Sequence, residues 1–347
     1  MRIGIDARLL EETGVGRYIR NLIGEISELD KKNEYAVFLS KKSYAQCILP
    51  NSRWKKVLAD VRWHTLKEQW IMPRLFRSAN LDLVHIPYHN PPIFYSGPMI
   101  VTIHDLTILH FNTGKATTLP QPLYQLKRLG YWVELCIGLK KSRRIIAVSE
   151  TTKRELIDHF RVPARKIIVT YEGVNMKRSD TRALIDAPYL LYVGNAYPHK
   201  NLENLIAATQ KLKKKLVLVG NDDFFYRRLR SKMSDNVVFF GPASDEKLSN
   251  LYQHADALVS PSLMEGFGLP ALEALSFGCP VLASNIPIFH EILGEYASYF
   301  NPTDPKSIAK AVSGIQKKRI PPDFFARYSW QHMASETLQI YEGSTCI

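Results

Sequence analysis

Three absences narrow the sequence before any motif is read. Cysteine is scarce: Cys47, Cys136, Cys279 and Cys346 lie far apart, with no CxxC pair and no histidine at ligand spacing. That pattern argues against a structural zinc site or a disulfide framework and fits a reducing cytoplasm. Long apolar runs are missing too. Tyr131 to Leu139 is broken by Glu134, and no segment reaches the roughly 20 residues that a bilayer crossing needs. Low-complexity stretches are lacking as well, and the opening Met1-Arg2-Ile3-Gly4-Ile5-Asp6 reads as a buried strand, so no leader is expected. What remains is an ordinary globular composition, 46% hydrophobic and 23% charged over 347 residues. That length points to two domains rather than one core.

Charge is abundant and uneven. The chain carries a formal net charge of +13, yet residues 1–180 hold 29 Lys+Arg against 17 Asp+Glu, while residues 181–347 hold 17 against 16. The basic half lacks the interleaved aromatic and basic motifs or zinc-finger spacing of a nucleic-acid binder, so no nucleic-acid partner is expected. An anionic membrane surface, a diphosphate-bearing acceptor, or simply a solvated basic face would each account for it. Two aromatic and basic segments, Trp63 to Arg77 and Leu119 to Arg144, are core-packed helices on the plain reading and membrane-docking elements on the sharper one.

Short β-branched runs alternate with amphipathic stretches in both halves, the pattern of parallel sheets covered by helices. Strands are expected at Arg2–Asp6, Tyr35–Ser40, Leu83–Ile86, Met99–His104, Arg143–Val148 and Lys166–Tyr171, then at Tyr189–Val193, Lys215–Val219, Val237–Phe240, Ala257–Ser260 and Pro280–Ala283. Gly173-Val174-Asn175 and the polar stretch Met176 to Pro188 read as a linker. The fold class is therefore α/β: two doubly wound, Rossmann-like domains facing across a cleft, with ligands at the carboxyl ends of the strands.

The motifs cluster at strand-to-helix junctions. Thr13-Gly14-Val15-Gly16-Arg17 follows the first strand and opens a helix, where Gly14 and Gly16 would let a ligand approach the free N–H groups, although a tight turn explains them equally. His104-Asp105 ends an apolar strand, a place for sugar-hydroxyl contacts or acid/base work, or for a capping Asp. Ser149-Glu150 reads most simply as an N-cap. In the second half, Gly194-Asn195-Ala196-Tyr197-Pro198-His199-Lys200-Asn201 enters a helix, and Lys200 could meet a diphosphate there. The strongest signal is Ser262-Leu263-Met264-Glu265-Gly266-Phe267-Gly268-Leu269-Pro270-Ala271-Leu272-Glu273. Its glycines make an approachable loop, Pro270 suits a first helical turn, and Glu265 and Glu273 stand at two heights, able to take a sugar and a ribose. A glycosidase carboxylate pair would not need a diphosphate-facing helix terminus.

Together these motifs resemble glycosyltransferase family 4, retaining enzymes of the GT-B fold. The similarity is greatest to bacterial mannosyl- and glucosyltransferases of surface-polysaccharide assembly. The resemblance spans nearly the whole chain and is most specific from Glu265 to Glu273. It implies an acceptor-binding domain at residues 1–175, a donor-binding domain at 188–328, and a final helix at 329–347 returning to the first domain. Gly14 and Gly16 would lie near the diphosphate and the acceptor. His104 would contact the transferred hexose, with Asp105 near the reacting centre. Lys200 would neutralise the diphosphate, helped by His199. Glu265, with Gly266, Phe267, Gly268 and Leu269, would hold hexose and phosphate, Glu273 the ribose, and Gly241-Pro242 would line the base. Asn195 stands where many relatives have Arg, and Thr13-Gly14 where many have two glycines, which shifts charge stabilisation onto Lys200, His199 and the helix termini.

The expected activity is retaining hexosyl transfer from UDP-glucose or GDP-mannose to a saccharide or lipid-linked saccharide acceptor. No DxD motif follows a strand end, so no metal and no cofactor are expected beyond the nucleotide sugar. The expected location is cytoplasmic, with docking to the inner membrane surface as a further partner. A sugar-nucleotide epimerase of the same fold and a catalytically inactive nucleotide-sugar-binding subunit are the alternatives. A nicotinamide dehydrogenase fits poorly, because the first glycine loop lacks GxGxxG spacing.

Overall fold

The computed structural model describes residues 1–110, 121–175, 177–178, 181–186, 188–230 and 233–345. The chain divides into two compact units. Of the described residues, one takes those up to Gly173 and again from Arg327 onward; the other takes those from Val174 to Ala326.

The first unit holds seven strands: β1 (Arg2–Asp6), β2 (Glu34–Leu39), β3 (Trp54–Leu58), β4 (Leu83–Ile86), β5 (Met99–Ile103), β6 (Arg144–Ala147) and β7 (Ile167–Val169). Their order is β3-β2-β1-β4-β5-β6-β7, and every neighbouring pair is parallel. Helices cover both faces of such a sheet, so its strands read as unbroken apolar runs; all five residues of β5, Met-Ile-Val-Thr-Ile, are buried. The strand expected at Tyr35–Ser40 starts one residue earlier and stops at Leu39, and β3 is absent from the expected set. β3 lies at the sheet edge with Lys55 and Lys56 at its centre, which masks its alternation and suits an edge.

Helix Gly14–Leu29 follows β1 and buries Tyr18, Ile19, Leu22, Ile23 and Ile26, one face at helical spacing. It stops at Asp30, whose carboxylate accepts from the Lys32 and Asn33 N–H groups. The last helix, Trp330–Thr345, belongs to this unit. His85 in β4 is hydrogen-bonded through Nδ1 to the Tyr341 hydroxyl at 2.6 Å and through Nε2 to Thr102 Oγ1 at 2.8 Å. Gly173, expected as linker, is more tightly constrained than a linker residue. A Cβ there would stand 2.2 Å from the Trp330 nitrogen, so only glycine lets the returning chain pass.

The second unit holds β8 (Tyr189–Val193), β9 (Lys215–Val219), β10 (Val237–Gly241), β11 (Ala257–Ser260), β12 (Val281–Ser284) and β13 (Ala297–Phe300) in the order β10-β9-β8-β11-β12-β13, again all parallel. β13 is also missing from the expected strands, because Ala-Ser-Tyr-Phe lacks a β-branched run. The described part of the expected linker is held by this unit: Ser249 Oγ donates to the Lys177 carbonyl at 2.7 Å, and Asn250 binds the Thr181, Arg182 and Leu184 backbone. Met176, Ser179, Asp180 and Ala187 of that stretch lie outside the described residues, as do Leu119 and Pro120 of the aromatic and basic segment and Cys346. Among the described residues no helix is long and apolar enough to cross a membrane.

Candidate active site

In each sheet the strand order reverses once, between β1 and β4 and between β8 and β11. Loops leaving the carboxyl ends of those two strands diverge to opposite faces and leave a crevice, the usual ligand position in such folds. In the second unit the two loops are the glycine-bearing junction after β8 and the Ser262–Gly268 string after β11.

Backbone detail draws these loops together. Gly194 has φ +151°, and its carbonyl accepts from the Tyr226 hydroxyl at 2.8 Å. Pro198–Lys200 form one 3-10 turn that ends on Asn201 in the left-handed region, φ 57°. The Asn201 amide donates to the carbonyls of Pro261 at 3.0 Å and Pro302 at 2.7 Å, and the Leu263 N–H donates to the His199 carbonyl at 2.7 Å. Those bonds fix both loops side by side. Lys200 Nζ then donates to Glu265 Oε1 at 2.6 Å, and Ser262 Oγ donates to the same oxygen at 2.7 Å. The two charged side chains keep 16% and 14% of their surface, enough for a ligand to reach a charge-assisted pair.

Gly268 caps the helix Leu269–Ser276 with φ 87°, and a Cβ there would lie 2.7 Å from the Phe289 ring. Glycine is therefore required twice over, by conformation and by space. Pro270 sits in the first turn. Phe267 and Leu269 are buried in support. Glu273 is only 3% exposed and accepts from the Tyr252 hydroxyl at 2.8 Å. Asn195 uses its backbone carbonyl to accept from Tyr192 at 2.6 Å and its side chain to accept from the Tyr197 N–H at 3.3 Å. Gly241 ends β10 at φ 86° with open space beside its Cα, next to Pro242. The structure thus joins Lys200, Glu265 and the His199 backbone, and sets Glu273 deeper, against Tyr252.

In the first unit Gly14 is the first residue of its helix and faces open space, whereas a Cβ on Gly16 would stand 2.6 Å from the Leu10 carbonyl oxygen. Gly16 serves packing; Gly14 alone is open to a ligand. His104 is buried, with Nδ1 2.9 Å from Glu172 Oε1 and Nε2 3.1 Å from the Pro87 carbonyl, so both ring nitrogens meet acceptors inside the unit. Asp105 is half-buried and accepts from the Thr107 N–H at 2.8 Å, in the manner of a capping Asp. Ser149 caps helix Glu150–Phe160 through the Thr152 N–H at 3.0 Å.

Sequence reasoning misses a charged network at the switch point of this first sheet. Arg8 donates to both Asp6 oxygens, to Glu68 Oε1 at 2.5 Å and to the Val61 carbonyl, and Glu68 also accepts from Asn90 Nδ2. Arg8, Asp6 and Glu68 are all buried; loss of one partner from such a set costs about 3–5 kcal/mol. The available signal is His89-Asn90, polar residues in the loop after β4 and just before Pro91-Pro92.

Comparison with known proteins agrees with this layout. The family model described as glycosyltransferase family 4 matches residues 13–178, and that described as glycosyl transferases group 1 matches residues 177–329. The O-antigen chain mannosyltransferase RfbU of Salmonella typhimurium is 28% identical over 91% of this chain and 90% of its own. O-antigen chain mannosyltransferase B of Escherichia coli is 26% identical over 95% and 96%. Among solved structures, sucrose-phosphate synthase from Thermosynechococcus elongatus superposes with a TM-score of 0.78 at 19% identity, covering 99% of this chain and 98% of that one. HepE of Anabaena, solved with UDP and glucose, gives 0.70 at 16% identity with full coverage of both chains. These distant likenesses carry the GT-B fold. The two family models together take in residues 13–329, so the chain pairs a glycosyltransferase family 4 domain with a glycosyl transferases group 1 domain.

Proposed function

We propose that the chain is a retaining, metal-independent hexosyltransferase that uses a nucleoside-diphosphate sugar and a saccharide or lipid-linked saccharide acceptor in surface-polysaccharide assembly. The observation that carries this reading is the Lys200–Glu265 pair, a cation and a carboxylate 2.6 Å apart at the second sheet's switch point. Lys200, with His199 and Asn195 beside it, neutralises the departing diphosphate, aided by N–H groups opening the helix Leu269–Ser276. Groups preorganised this way contribute roughly 3–4 kcal/mol each to transition-state stabilisation. Glu265 and the Gly266–Leu269 backbone hold the hexose, Glu273 the ribose, and Gly241-Pro242 the base. From residues 1–175, the acceptor domain in this reading, Gly14 approaches the diphosphate, with Gly16 shaping its loop, and His104 and Asp105 approach the hexose. Residues 188–328 are the donor domain, and 329–347 the returning helix. The bond from the anomeric carbon to the phosphate oxygen breaks, a bond to the acceptor oxygen forms on the same face, and the acceptor proton passes to the departing phosphate.

GDP-mannose is the leading donor, because two relatives aligned along nine-tenths of the chain or more are mannosyltransferases; UDP-glucose is second. The protein works in the cytoplasm at the inner membrane surface. Helices Leu66–Ser78 and Gln121–Lys141, joined by a 2.9 Å bond from Gln69 to Glu134, expose Leu66, Trp70, Leu126 and Trp132 near Lys67 and Lys127, the composition of an interfacial surface. Thermal-shift measurements with GDP, UDP, ADP and their hexoses test the donor, since a ligand bound by the folded state alone raises stability. Transfer in excess EDTA and the product's anomeric configuration by NMR test the rest. No shift with any nucleotide would overturn the proposal, and absence of salt-sensitive flotation with anionic liposomes would remove the docking.

A further inference from the structure

Three polar atoms beside the switch point of the first sheet are buried without a partner: His89 Nδ1, Asn90 Oδ1 and Tyr131 OH. Buried polar groups almost always find a hydrogen bond, and a cluster of orphans marks a place where something polar belongs. All three residues are more than nine-tenths buried. His89 and Asn90 follow β4, Tyr131 comes from the helix Gln121–Lys141, and the rings converge. His89 and Tyr131 meet edge to face at 5.1 Å, His64 stacks on His89 at 5.5 Å, and Tyr88 lies 3.7 Å from His89. His64 and Tyr88, the rings that pack against His89, are partly exposed, so the cluster reaches the surface through them. His64 is also held in the left-handed region, φ 56°, by its N–H donating to Glu68 Oε2 at 2.6 Å. Strain of that kind persists where the surroundings enforce it.

The chemistry of the cluster discriminates between ligands. The orphans on His89, Asn90 and Tyr131 include an amide oxygen, which accepts only, and a phenol, which can do either; hydroxyl groups suit both. The aromatic faces suit the C–H face of a pyranose. A diphosphate does not fit, because the carboxylates of Asp105 and Glu134 act on this cluster, and Arg8, which reaches Asn90 through Glu68, is engaged by Asp6 and Glu68. Burial holds His89 neutral, its pKa pushed down to about 3.

We propose that His64, Tyr88, His89, Asn90 and Tyr131 form a subsite for a neutral sugar residue of the acceptor, whose hydroxyls hydrogen-bond to His89 Nδ1, Asn90 Oδ1 and Tyr131 OH. This deepens the transferase reading above and rests on it. The test uses the full chain and saturation-transfer NMR with three probes, the methyl glycosides of mannose, galactose and N-acetylglucosamine, plus inorganic pyrophosphate as the anionic control. At least one glycoside is expected to bind, to persist in saturating GDP or UDP, and to weaken roughly three- to tenfold in Tyr131→Phe and His89→Phe, the loss typical of one hydrogen bond. Because Tyr131→Phe removes a hydroxyl with no partner, its Tm is expected to stay level or rise. Binding of none of the glycosides, equal binding by both variants, or a lowered Tm for Tyr131→Phe would each overturn the subsite. Nucleotide thermal shifts score the transferase reading separately, so the two failures are told apart.

Discussion

Lys200 and Glu265, 65 residues apart in the chain, meet at 2.6 Å because Asn201 and Leu263 knit their loops together behind them. A lysine held this way is oriented before any ligand arrives. Lys200→Ala is expected to lower turnover by about two to three orders of magnitude, the usual cost of one preorganised charge-stabilising donor, with a normal circular dichroism spectrum. Steady-state kinetics check this, and near-normal turnover would remove Lys200 from the chemistry.

Glu273 and Tyr252 separate binding from folding. Glu273→Ala is expected to weaken nucleotide binding more than turnover, and also to destabilise the chain by about 1–3 kcal/mol, because the buried Tyr252 hydroxyl loses its acceptor. Tyr252→Phe removes only the structural part. Calorimetric nucleotide titration of both variants should find a large affinity loss in the first and little in the second.

Two glycines of one loop should behave oppositely. Gly16→Ala forces a methyl to 2.6 Å from the Leu10 carbonyl oxygen and should cost about 1–3 kcal/mol by overpacking. Gly14→Ala meets open space and should leave stability in denaturant titrations within about 0.5 kcal/mol while reducing transfer. Equal stability losses would contradict the packing of this loop.

Acid should loosen the first unit through His85. Burial, with His104 nearby, pushes its pKa down to about 3, below the roughly 6.5 of an unfolded histidine. The folded state therefore resists a proton that the unfolded chain accepts, so the stability tied to this residue is full above about pH 6.5 and falls as pH drops toward 3, by about 1.4 kcal/mol per pH unit. Urea titrations from pH 7 to pH 4 should show a shallower loss in His85→Asn than in the native chain. Parallel curves would contradict the burial.

Most of the fold is legible because a parallel sheet buried on both faces writes itself as apolar runs, as in β5 and β8. β3 and β13 escape because an edge strand can carry Lys55-Lys56 and a short one can be Ala-Ser-Tyr-Phe. The second unit's loops are legible from Gly and Pro, whose backbone restrictions are local. Nothing local announces that Arg8 will meet Glu68 and Asn90, or that Glu273 will meet Tyr252, since those partners are brought together only by packing. For the same reason both ring nitrogens of His104 turn out to be engaged, by Glu172 and Pro87, which no strand-end pattern foretells.

The contact between His85 and Tyr341 has a consequence for synthesis on the ribosome. Residues Val174–Ala326 form one uninterrupted stretch and can complete their core while the rest is still being made. The earlier-emerging sheet cannot: the hydroxyl that satisfies its buried imidazole, and the tryptophan that fits over Gly173, are translated only after that stretch. The half that leaves the ribosome first is thus the half that finishes second, and a stop codon shortly before Trp330 would harm the sheet farthest from it in sequence.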